Sequence, residues 1–110
     1  MTKYMILHNA NQTAHELIDN ATPEERQAAY AAWIAWKEEA DKTVKFEFGQ
    51  PMQAVVRMTT DGPTDSDNQA SGYSMIEADS KEQVIEVLKN HPHLKTPGAN
   101  LDVLEIIPMS

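Results

Sequence analysis

Four histidines, His8, His15, His91 and His93, are the side chains of this protein best suited to proton chemistry near neutral pH, where imidazole changes charge and the other ordinary groups do not. His8 ends an apolar run and is the strongest single candidate for moving a proton. His91 and His93 flank Pro92, which forbids a helical imidazole pair; they read as helix-terminal groups, one of which could serve as acid, base or ligand. Asp61 stands in a turn-rich stretch, where it either accepts a local N–H or orients a histidine. Tyr73 either packs as an aromatic or donates its hydroxyl to a bound anion or enolate. The catalytic candidates are therefore His8, His93, Asp61 and Tyr73, whereas His15 belongs to a polar loop and is expected to be solvated. Four histidines with Asp61, Asp65 and Asp67 do not follow a recognised metal-ligand spacing, so no metal is expected. The chain lacks a Gly-x-Gly-x-x-Gly fingerprint, a P-loop and a Gly-x-Ser-x-Gly elbow. That argues against dinucleotide, nucleotide and α/β-hydrolase chemistry, and no cofactor is expected.

The elements that must position these groups are legible in the pattern. Lys3 to His8 is a short apolar run with strand character, followed by a polar loop from Asn9 to Ala21. Thr22-Pro23-Glu24-Glu25 combines an N-cap, a proline at the first helical position and a glutamate placed to close a capping box. The helix it starts carries Ala29, Trp33, Trp36 and Ala40 on one stripe, with Tyr30 and Ile34 beside it, and runs to about Ala40. The two tryptophans read as packing groups rather than a stacking platform. Thr43 to Phe48 alternates as a half-buried edge strand, and Met52 to Thr59 is either a further strand or an extended arm. Residues 61–68 form a polar loop, and Gly72 to Ala78 is the next strand. Asp79 or Ser80 caps a second helix with Val84, Val87 and Leu88 buried, Pro92 stops it, and Leu101 to Ile107 is the last strand.

A chain of 110 residues supports one domain with one core, assigned here to residues 1–110. Nine basic against seventeen acidic residues give a net charge of −8, which opposes phosphate backbones and anionic membrane surfaces; neither nucleic acid nor membrane is an expected partner. The absence of cysteine excludes disulfides and thiolate nucleophiles and fits a reducing compartment. The opening apolar run is too short for a membrane span and lacks a signal-cleavage pattern, so the cytoplasm is the expected location.

The order β-α-β-β-α-β defines an α+β, ferredoxin-like split unit, with its first and third strands central and both helices on one face. Placing Glu105 away from the helices assigns Met5, Leu7, Ile76, Ala78, Leu104 and Ile106 to the helix side. The open face then carries Tyr4, Ile6, His8, Tyr73, Met75, Glu77, Leu101, Val103, Glu105 and Ile107. Such an apolar face predicts a two-fold homodimer with sheets face to face. Connectivity also brings the end of strand one at His8 together with Gly72, Tyr73, Leu101, the His15 loop, the Asp61 loop and the His91 turn.

Asp61-Gly62-Pro63, Ser71-Gly72-Tyr73 running into Ile76-Glu77-Ala78-Asp79-Ser80, His91-Pro92-His93-Leu94 and Val103-Leu104-Glu105-Ile106 together resemble the YCII-related domain family, in particular its DGPF-type branch. The Lys3-Tyr4-Met5 opening and the Trp33/Trp36 helix are similar too, while Thr64 stands where that branch has phenylalanine. The resemblance implies a ferredoxin-like fold assembled as a dimeric α/β-barrel. It implies little about activity beyond lyase or dehalogenase chemistry on small lactones, through a His-Asp pair, in a few relatives. Trp33, Trp36 and Lys37 occupy the region of that pair's helix histidine. The resulting expectation is a small-molecule lyase or isomerase using a histidine acid/base in a dimer-edge cleft. The competing expectations are a non-catalytic ligand-binding or stress-related accessory module and a purely structural subunit.

Overall fold

The computed structural model describes residues 1–12, 16 and 19–109. Its main sheet contains β1 (Thr2–Asn9), β2 (Lys45–Pro51), β5 (Ala70–Ala78) and β6 (Asn100–Glu105), in the order β2-β5-β1-β6. Every pairing is antiparallel. Two helices, α1 (Pro23–Ala40) and α2 (Lys81–Leu88), and a 3₁₀ turn (Pro92–Lys95) complete the unit. A separate two-stranded ribbon, β3 (Arg57–Thr59) with β4 (Gly62–Thr64), stands between β2 and β5. The architecture is α+β with β1 and β5 central, as in a ferredoxin-like fold. Among the described residues no helix is long and apolar enough to cross a membrane.

The helix starts follow from their caps. Thr22 Oγ1 accepts from the Glu25 N–H at 3.1 Å, and the Glu25 carboxylate accepts from the Thr22 N–H at 3.0 Å, so two otherwise orphaned donors are satisfied reciprocally. At α2 the Ser80 hydroxyl accepts from the Gln83 N–H, but the Gln83 side chain reaches Asp79 instead of closing a box on Ser80. Only the second half of α1 lies on the sheet: Trp36 and Ala40 are buried, whereas residues 23–32 are exposed and Tyr30 is 70% accessible. The stand-off of that first half leaves room for a cavity beneath it.

Tyr4, Ile6, Phe46, Ile76, Ala78, Trp36, Val84 and Leu88 form the core. This reverses the expected side of β1. Tyr4, Ile6 and His8 lie under the helices, and register places Glu105, Val103 and Leu101 opposite them on the same face. Met5, Leu7 and Leu104 are therefore on the open face, with Met75 and Glu77, as the pairing of Met5 with Met75 and with Leu104 requires. Ile76 and Ala78 are on the helix side as expected. The physical reason is twofold. The run Tyr4-Met5-Ile6-Leu7 is apolar at every position, so alternation carries no information there. Glu105, used to decide the parity, sits on the edge strand beyond the helical cover and stays exposed, so no desolvation penalty arises.

Met52–Thr59 resolves into an extended segment leading to β3, and residues 61–68 include β4, so the polar loop is partly a hairpin. The inverted parity sets a clear expectation for adjacent residues. Ile6→Ala should cost about 2–5 kcal/mol by leaving a cavity in the core, and Leu7→Ala less than half of that, in chemical denaturation. The reverse order of effects would contradict this face assignment.

Candidate functional site

Three of the four histidines meet at the end of β1, each placed by a different local device. His8 enters from β1 opposite Gly72, and its Nε2 lies 2.7 Å from Ser74 Oγ. His91 follows α2, its N–H donating to the Leu88 carbonyl, and its Nδ1 accepts from the His93 N–H at 3.0 Å, capping the 3₁₀ turn. His93 Nε2 donates to the Asn9 carbonyl at 2.8 Å, tying that turn to the end of β1. Pro92 fixes the backbone between the two histidines so that both rings turn inward.

Indole rings seal the cluster. Trp33 stacks on His8 at 5.3 Å with planes 17° apart and meets His91 edge-on at 4.6 Å. Trp36 lies 4.4 Å from His91 and donates its Nε1–H to the Val87 carbonyl. His8, His91 and His93 are all buried, and His91 Nε2 has no hydrogen-bond partner within the described structure.

Burial holds two of these imidazoles uncharged. His8 is pushed down to about 4, first by desolvation and then by the neighbouring His93. His91 is pushed down to about 3 by desolvation, with His8 and His93 adding to the effect. Since His91 Nδ1 accepts a hydrogen bond, its single proton sits on Nε2.

A cavity of about 390 Å³ opens beside the cluster, between the raised half of α1 and the β2–β5 edge. This size lies in the range of small-molecule sites. His8 and His93 line it, with Trp33, Phe48 and Tyr73 as aromatic walls and Glu25 and Arg26 near the α1 terminus. Tyr73 packs against Gly49, where a β-carbon would collide with both the Tyr73 ring and its carbonyl. Gly49 is thus required by close approach.

Of the expected site residues, His8, His93 and Tyr73 share this cavity, and Asp61 does not. Asp61 occupies the β3–β4 turn, where its N–H donates to Thr59 Oγ1 at 3.1 Å, and among the described residues no hydrogen bond or ion pair joins it to a histidine. His15 lies outside the described residues. Trp33, read from sequence as packing alone, proves to be both a cavity wall and the stacking partner of His8. Ser74 was missed because a lone serine inside an apolar strand carries no signal until register is known; with β1 and β5 aligned, its proximity to His8 follows. Among the described residues no group of three or more His, Cys, Asp or Glu could hold a metal ion.

The fold and the imidazole-lined cavity define a small α+β protein with a site of small-molecule size. The chain belongs to the YCII-related domain family, whose model matches residues 2–110. Among solved structures it is similar to 5-chloro-2-hydroxyhydroquinone dehydrochlorinase from Burkholderia phenoliruptrix AC1100, determined in complex with 2,5-dihydroxybenzoquinone. The identity is 19%, covering 93% of this chain and 91% of that one, with a TM-score of 0.46. The ligand and reaction named there are that protein's own. No curated protein matches this chain.

The buried neutral imidazoles make stability depend on pH. Unfolded histidine takes up its proton near 6.5, whereas folded His8 does so near 4 and folded His91 near 3. The unfolded state therefore binds more protons throughout the interval between, and the stabilisation present above pH 6.5 is lost as pH falls. Between pH 7 and 5 each histidine should withdraw about 2 kcal/mol, read by denaturant unfolding at the two pH values, with His8→Gln removing about half of the dependence. Stability that is flat across this interval would contradict the neutral, buried cluster.

Proposed function

We propose that this chain is a small-molecule lyase or isomerase in which His8 moves a proton on a ligand held in the 390 Å³ cavity. The observation that carries this reading is the fixation of His8. One ring nitrogen is held by Ser74 at 2.7 Å, the other makes no bond within the described structure, and the ring forms part of the cavity wall. A base fixed in this way needs no reorganisation when the ligand arrives. It is neutral at pH 7, and its low proton affinity suits a ligand that is itself acidic, such as an enol or a hydroxylated ring. His93, anchored through Nε2 to Asn9, also lines the cavity and is placed to return the proton, while the Tyr73 hydroxyl orients the ligand. Asp61 has no part in this reading. A non-catalytic ligand-binding module is the second reading, favoured by the same low proton affinity of His8.

In the same proposal a second copy of the chain covers the open face, giving the dimeric α/β-barrel assembly. Met5, Leu7, Met75 and Leu104 form a half-exposed apolar band across β5, β1 and β6, flanked by Lys3, Lys45, Glu47 and Glu77. A self-complementary two-fold contact is the simplest cover for such a band.

The test is proton exchange in D₂O followed by ¹H NMR, with a panel of small enolisable ketones, hydroxylated aromatics and lactones. The wild type should introduce solvent deuterium into a ligand it binds, or eliminate from it. His8→Gln should slow this at least about 100-fold with binding largely retained. Binding without turnover by the wild type would favour the binding module, and undiminished exchange in His8→Gln would remove His8 from the chemistry.

A further inference from the structure

The cavity beneath α1 is chemically uneven along its length, and the unevenness follows the helix. Arg26, Ala29 and Trp33 recur at helical spacing, share one face of α1 and all line the cavity. Trp33 stacks on His8, so it marks the end where a proton is moved in the reading above. Arg26 lies two helical turns earlier, about 10 Å back along the axis, and marks the other end of the lining that α1 supplies. Phe48, whose ring centre is 5.9 Å from that of Trp33, and Ala29 give the cavity apolar walls. One end therefore carries a guanidinium and the other a neutral imidazole, with a lining between them that suits a hydrocarbon body.

Arg26 is the one lysine or arginine among the described residues that line the cavity. Helix electrostatics do not favour it there: it follows Glu24 and Glu25 at the start of α1, close to the positive end of the dipole, where an anion stabilises and a cation does not. Its guanidinium donates to the Ala21 carbonyl at 3.2 Å, and Ala21 lines the cavity too. Glu25, the other charged group at this end, turns its carboxylate to the Thr22 N–H at 3.0 Å to close the capping box. A guanidinium is a planar fork whose donors match the two oxygens of one carboxylate. The charge of a phenolate or enolate arises where the proton leaves, at His8, about 10 Å along the helix from Arg26. The anion that Arg26 meets is thus a separate group, one the ligand carries in with it. Because the chain as a whole bears a net charge of −8, a site for a small anion needs a cation of its own.

We propose that the ligand of this cavity is a small monocarboxylate with an apolar, unsaturated body, its carboxylate paired with Arg26 and its hydroxyl or enol end directed to His8. This rests on the reading of the cavity as a ligand site and names the class of ligand it takes. The test is isothermal titration calorimetry on the full chain with matched probes: para-hydroxybenzoate against para-hydroxybenzamide, and para-hydroxycinnamate against its amide. The wild type should bind at least one acid tenfold or more tighter than its amide, and added salt should shrink that ratio. Arg26→Gln should bring the acid down to the affinity of the amide with unchanged circular dichroism, while Arg26→Lys, which keeps the charge but not the fork, should retain part of the preference. Equal affinity for acid and amide in the wild type, or a preference that survives Arg26→Gln, would overturn the carboxylate class while leaving the cavity a ligand site. Failure of both acids to bind at millimolar concentration would overturn the class as well. His8→Gln should keep the acid-over-amide ratio, so a wild type that shows the ratio but exchanges no proton in D₂O would uphold the ligand class and remove the catalytic reading.

Discussion

Burial holds His8 and His91 uncharged side by side, and the end of this sheet is organised around that requirement. His8, His91 and His93 lie within 5.3 to 6.4 Å of each other, centroid to centroid, under the two tryptophans of α1. Protonating His8 or His91 would place a cation in an apolar enclosure beside further imidazoles, an unfavourable event on both counts. The structure instead gives each ring a defined hydrogen bond: Ser74 to His8, the His93 N–H to His91, and the Asn9 carbonyl to His93. These bonds fix ring orientation without supplying a counter-charge.

The same arrangement explains why the cavity lies where it does. Helix α1 can press onto the sheet only through its second half, where Trp36 and Ala40 are buried, because Trp33 is propped on His8. The raised first turns leave the gap that Glu25, Arg26 and Ala29 overlook, and Phe48 and Tyr73 close it from the β2–β5 edge. Gly49 contributes by absence, since a β-carbon there would collide with Tyr73. A packing constraint and a binding space are thus two aspects of one cluster.

Much of this was legible in the residues. Thr22-Pro23-Glu24-Glu25 announced α1 and Ser80 announced α2 because capping is local chemistry. The convergence of His8 with the His91–His93 turn followed from strand order alone. The side of β1 did not, since four consecutive apolar residues satisfy either parity, and the tie was decided on an edge-strand glutamate that never loses its water. The role of Trp33 was hidden for a related reason: a tryptophan on a helical stripe looks the same whether it fills a core or walls a cavity. Asp61 looked like a histidine partner because its loop leaves from the correct end, but a ribbon carries it away from the sheet.

Long-range ¹H–¹⁵N NMR of the imidazole rings between pH 8 and pH 4 tests the central claim most directly. The account predicts that His8 and His91 remain neutral through pH 5, with the His91 proton on Nε2 and Nδ1 unprotonated. A midpoint near 6.5 for either ring, or a proton on His91 Nδ1, would contradict the sealed cluster on which both the cavity and the proposed chemistry stand.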